Sequence, residues 1–147
     1  MIPFIEISAF LFLCFLSYLD LRWGEIDDRL ILLLAIVSFS LIIVSNKLIL
    51  FVLSVFMLLV GFILWKFKSF GGADVKLLPC LIPIMLYNAP NVFAGIWFYI
   101  IILLIIGVLF GLISRFILKK EEVPFIPAMA ISYLVFEIFK FFWIGKI

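Results

Sequence analysis

Six apolar runs follow one another along the chain, each broken only by a short polar or turn-like stretch, and this pattern limits the fold more than any other feature. The runs cover about 2–19, 30–45, 48–65, 75–87, 92–114 and 125–143. A membrane-spanning helix needs about 20 apolar residues, and most of these runs come close to that. The fourth is shorter and carries Pro79 and Pro83, which predicts a helix that is kinked or partly sunk in the bundle. Of the 147 residues 69% are hydrophobic, where a soluble domain is nearer half apolar. The sequence therefore predicts an all-α integral membrane protein, a bundle of about six transmembrane helices in one domain spanning 1–147, resident in the lipid bilayer. The first run lacks a basic flank and a small-residue cleavage site, so it reads as a retained span.

Charge and residue content exclude several chemistries. The net charge is +2 and offers no footprint for nucleic acid. There is no histidine, which removes Ser-His and Cys-His catalysis and histidine ligands. Cys14 and Cys80 stand alone in apolar runs and form no paired CxxC, so no zinc ribbon is expected. The sequence calls for no metal and no cofactor.

Lysine and arginine set the expected topology. Arg22, Arg29, Lys66, Lys68, Lys76, Arg115, Lys119 and Lys120 lie in or at the edges of the connections after the first, third and fifth runs, 8 of the 11 basic residues, leaving Lys47, Lys140 and Lys146 for the other side. The positive-inside bias then puts the odd-numbered connections in the cytoplasm and the N-terminus and C-terminus outside. Gly107 and Gly111 form a GxxxG in the fifth run, read as a helix-packing face.

Two aspartates stand at span boundaries. Asp20 closes the first run and Asp74 opens the fourth, in "FGGADVKLLP". The chain crosses the membrane twice between them, so both lie on one side whatever the absolute orientation. Charge near hydrocarbon costs free energy and signals function. The plainer readings make Asp74 the N-cap of the fourth helix, and have Asp20 pair with Arg22 or face water. Gly71 and Gly72 weigh against a simple cap, because they permit unusual backbone angles and close approach. Two close carboxylates share a proton, since both cannot ionise cheaply. One then draws a proton from water while the other protonates a peptide carbonyl, which is aspartic proteolysis and needs neither His nor Cys.

The stretch "YLDLRWGEIDDRL" resembles the first aspartate motif of the type IV prepilin and preflagellin peptidases, and "FGGADVKLL" is similar to their GxGD motif. "VPFIPAMA", residues 123–130, resembles the Pro-Phe-x-Pro stretch opening their last span. The resemblance implies that Asp20 and Asp74 are the catalytic pair of a membrane aspartic endopeptidase. Its partner would be a pilin-like or archaellin precursor, whose short basic leader is cut at the cytoplasmic face of the cell membrane. Ala73 stands where the motif has Gly, a form similar to the archaeal preflagellin peptidases, and Asp27 stands where the family often has Pro. Nothing here corresponds to the cysteine-containing domain of the methylating relatives, so cleavage without methylation is expected.

Other residues are candidates for holding substrate. Glu25, Asp27 and Asp28 could dock the basic leader by opposite charge, or form a solvated loop. Gly71 and Gly72 would leave room for an extended peptide, and Pro124, Phe125 and Pro127 could line its entry or simply shape the sixth helix. Lys76 could tune Asp74 or extend to headgroups. Glu137 has Lys140 at i,i+3 as a partner, and Glu6 and Glu137 receive no catalytic role. A proton- or cation-coupled transporter and a non-catalytic pilus assembly subunit are the rival readings. A transporter would more often hold its acid at mid-bilayer.

Overall fold

The computed structural model describes residues 2–24, 26–66, 72–89, 91–116 and 125–144. They form six helices: α1 (Ile2–Trp23), α2 (Asp28–Ser45), α3 (Leu48–Lys66), α4 (Gly72–Leu86), α5 (Val92–Phe116) and α6 (Phe125–Ile144). No strand occurs among the described residues. Four of the helices are long and apolar enough to cross a membrane, so the protein is an all-α membrane protein.

Local chemistry sets where the first helices stop and start. Helix α1 runs past Asp20 to Trp23 and stops at Gly24, whose φ of 69° lies in the left-handed region. The Gly24 N–H donates to the Asp20 carbonyl at 2.9 Å, closing the helix as a left-handed terminal glycine does. Asp27 then caps α2, its carboxylate accepting the Arg29 N–H at 2.9 Å. Asn46, with φ 51°, ends α2 in the same left-handed way. Inside the spans Ser17, Ser40, Ser54 and Ser132 donate to carbonyls four residues back, which hides their hydroxyls from hydrocarbon.

Packing is arranged around α4. This helix has 15 residues and is about 22 Å long at 1.5 Å per residue, short of a hydrocarbon core of about 30 Å. It touches every other helix, chiefly α3 and α2. Leu77, Leu81, Ile82, Ile84, Met85 and Leu86 on it are fully buried. Around it α2 and α3 lie on one flank, while α6 joins α1 and α5 on the other. The expectation of a short fourth helix sunk in the bundle holds.

Glycines let the helices close up. A Cβ on Gly61 of α3 would sit 3.2 Å from Val75 Cγ1 of α4, and one on Gly107 of α5 would sit 3.0 Å from the Phe125 ring of α6. The packing expected at Gly107 is therefore present. The outer faces carry Phe4, Ile7, Leu11 and Phe15 on α1, and Phe93, Trp97, Ile101 and Leu104 on α5, all exposed. Apolar stripes at helical spacing turned outward suit a lipid environment, where only the backbone must be satisfied internally.

Candidate active site

Both aspartates sit in terminal turns, at the same end of the bundle. Asp20 lies in the last turn of α1 and is half-buried. Asp74 lies in the first turn of α4 and is 7% exposed, beside buried Val75, Leu77 and Leu78. Two ion pairs fix which ends meet. Lys76 of α4 reaches Asp28, the first residue of α2, at 2.6 Å, so the start of α4 lies beside the connection that leaves α1. At the other end Lys140 of α6 reaches Glu6 of α1 at 2.7 Å. The start of α6, with Phe125 and Pro127, therefore shares the end that holds Asp20 and Asp74.

The geometry changes two details of the sequence reading. Asp74 is not the N-cap of α4: the helix begins at Gly72, and Asp74 is two residues inside it. There a carboxylate still benefits from the positive end of the helix dipole and its unpaired N–H groups. Gly72 has helical backbone rather than an unusual conformation, and among the described residues an added Cβ would meet Trp65 Nε1, at 3.9 Å. A conformational need for glycine is therefore not present at Gly72.

The remaining candidates are spread around this end. Asp27 is engaged as the cap of α2 and Asp28 in the pair with Lys76. The Lys76 amine is thus directed to α2. Arg22 donates to the Tyr18 hydroxyl at 2.6 Å and lies over the Trp23 ring at 4.9 Å. Residues two apart do not share a helix face, and the guanidinium follows the i−4 face instead. Phe125 packs against Gly107, and Pro127 is buried in the first turn of α6, where the missing N–H breaks no helical bond. Glu25, Gly71 and Pro124 lie outside the described residues. No group of three or more His, Cys, Asp or Glu side chains suited to a metal gathers among the described residues.

One cluster was only partly visible in the sequence. Lys140 bonds Glu137 at 2.6 Å, as the i,i+3 spacing suggested, and also Glu6 of α1 and the Met85 carbonyl of α4. Glu6 lies 134 residues from Lys140, and no local pattern connects them.

The described residues thus define an all-helical membrane bundle with a buried and a half-buried carboxylate at one end. Residues 7–116 match the model of the type IV leader peptidase family. The chain belongs to that family and is a peptidase. The matched stretch includes Asp20 and Asp74 and stops before α6, so the Pro-Phe-x-Pro stretch falls outside it. Searches of the curated proteins and of the solved structures returned no match.

Proposed function

We propose that this protein is an aspartic endopeptidase that removes the short basic leader from type IV pilin-like or archaellin precursors at the cytoplasmic face of the cell membrane. The observation that carries the reading is that one family match spans both aspartates, and the bundle holds them at one end. In the reaction the ionised carboxylate takes a proton from water, and the resulting hydroxide oxygen adds to the scissile carbonyl carbon. The other carboxyl gives its proton to the carbonyl oxygen. The tetrahedral diol then collapses: the carboxyl that took the water proton gives it to the nitrogen as the C–N bond breaks, and a diol O–H returns its proton to the other carboxylate, restoring both groups. The cytoplasmic assignment rests on the excess of Lys and Arg in the connections at that end.

The carboxylates of Asp27 and Asp28, with Glu25, form the docking side for the basic leader. The peptide passes beside Gly72, with Gly71, Pro124, Phe125 and Pro127 along its entry. The product keeps an unmethylated N-terminus. The test is cleavage of a prepilin or preflagellin substrate in membranes by the parent, Asp20→Asn and Asp74→Asn, with expression of each checked by blot. The parent trims the leader and each single variant fails. Cleavage by both variants would sink the catalytic assignment, and a parent inert toward several leaders would favour a transporter or an assembly subunit.

A further inference from the structure

The two aspartate-bearing helices touch each other only lightly, since α1 packs mainly on α6, and α4 mainly on α2 and α3. Their relative height along the bundle therefore needs another constraint. At the end opposite the aspartates one amine reaches both helices. Lys140 of α6 donates to Glu6 on α1 at 2.7 Å and to the Met85 carbonyl near the end of α4 at 3.2 Å, while Glu137 holds it from its own helix. Its side chain is 8% exposed, and those of Glu6 and Glu137 are 17% and 15% exposed. Tyr133 of α6 adds a second tie to α1, its hydroxyl donating to the Glu6 carbonyl at 3.2 Å.

The chemistry explains why a lysine sits there. Helix α4 is too short to cross, so its C-terminal carbonyls finish inside the protein, where an unpaired acceptor is costly. Cations suit the negative end of a helix dipole. Lys47 donates to the Tyr87 carbonyl at 2.7 Å and Lys140 to that of Met85. The amine of Lys140 in turn requires carboxylates, because a buried charge is tolerated only when paired. Glu6, Glu137 and Lys140 all fall outside residues 7–116, while Met85 lies inside them, so the charged side chains of the clasp lie beyond the family match.

We propose that Lys140 is a positioning residue: by holding Glu6 and the Met85 carbonyl together it sets the height of α1 against α4, and so of Asp20 against Asp74 at the far end. Asp20 lies fourteen residues beyond Glu6 and Asp74 eleven before Met85, about 21 and 17 Å along their helices. Slippage at the clasp is carried along rigid helices to the carboxylates. The inference rests on the reading of Asp20 and Asp74 as the catalytic pair, and the test separates the two.

The test variant is the uncharged triple change Glu6→Gln, Glu137→Gln and Lys140→Met, which keeps side-chain volume and strands no charge. Lys140→Arg is the conservative control. Cleavage kinetics are measured well below each protein's unfolding temperature. In a Cys14→Ala, Cys80→Ala background, nitroxides replace exposed Tyr18 on α1 and Lys76 on α4, and their separation is read by pulsed electron spin resonance. The expected result is a shifted or broadened Tyr18–Lys76 distance in the triple variant and a kcat at least tenfold lower with KM within threefold. Lys140→Arg recovers most of both. An unchanged distance, or a kcat equal to the parent's in a triple variant that is only less heat-stable, overturns the proposal and leaves the peptidase reading standing. A distance moved in the triple variant, with a parent that cleaves nothing, leaves the clasp standing as a determinant of helix height and removes the catalytic pair.

Discussion

The Lys76 amine of α4 and the Asp28 carboxylate of α2 lie 2.6 Å apart, and this pair ties the start of the helix bearing Asp74 to the segment that follows the helix bearing Asp20. Both side chains are well exposed, at 50% and 71%. Exposed pairs contribute about 0–1 kcal/mol because water and salt screen them and two long side chains must be held still. Lys76→Met is therefore expected to lower stability by less than about 1 kcal/mol and to leave leader cleavage within about threefold of the parent. Unfolding in detergent and initial cleavage rates check both. A loss of cleavage at unchanged stability would show that the lysine serves the chemistry of Asp74 directly.

Asp27 combines two roles that substitutions can separate. As the cap of α2 it accepts the Arg29 N–H, and loss of such a cap costs about 0.5–2 kcal/mol. Asp27→Asn keeps an acceptor in place and is expected to keep the stability, while Asp27→Ala loses about 1 kcal/mol. If the same carboxylate helps dock a basic leader, Asp27→Asn raises KM by a few-fold at low salt, and the difference fades as salt screens the charge. Equal KM values across the salt series would leave Asp27 a cap and nothing more.

The approach of Gly107 to the Phe125 ring makes a sharper packing prediction. A Cβ at Gly107 would stand 3.0 Å from a ring carbon of Phe125, and the ring sits at the first position of α6, where its freedom to withdraw is limited by buried Ile126 and Pro127. Overpacking of this kind costs about 1–3 kcal/mol. Gly107→Val is expected to fall in that range. Combining it with Phe125→Leu is expected to recover at least half of the loss, which a double-mutant cycle in detergent would read. Additive losses would mean that the two helices do not meet there.

Much of the fold could be read from the chain because apolar length and polar interruption are local properties. The runs at 30–45, 48–65 and 92–114 became α2, α3 and α5 with ends shifted by no more than two residues. The first apolar run underestimates α1 because Asp20 and Arg22 look like a loop, although a helix end tolerates both and the stop is made by Gly24. The start of α4 was likewise masked by Gly72, which is helical here. Parity placed Asp20 and Asp74 at one end without any structure. The partners of Lys140 show the limit: Glu137 follows from helical spacing, but Glu6 and the Met85 carbonyl become neighbours only when α1, α4 and α6 assemble. The pairing of Lys76 with Asp28 is equally non-local, 48 residues apart.

Tyr99 supplies a test of the core that is independent of catalysis. Its ring is buried on α5 and meets Phe136 of α6 edge to face, with centroids 5.9 Å apart. Its hydroxyl is buried and has no hydrogen-bond partner among the described residues. Burying a polar group without a partner costs about 1–3 kcal/mol, and removing it together with its desolvation penalty is neutral or favourable. Tyr99→Phe keeps the ring and its edge-to-face contact and deletes only the oxygen. It is expected to hold stability or raise it by about 1–2 kcal/mol, with cleavage unchanged, since Tyr99 lies within α5 and the aspartates lie on other helices. Thermal unfolding of parent and variant in the same detergent decides the matter. A loss of more than about 1 kcal/mol would show that the hydroxyl is satisfied in the membrane and that α5 sits against its neighbours differently.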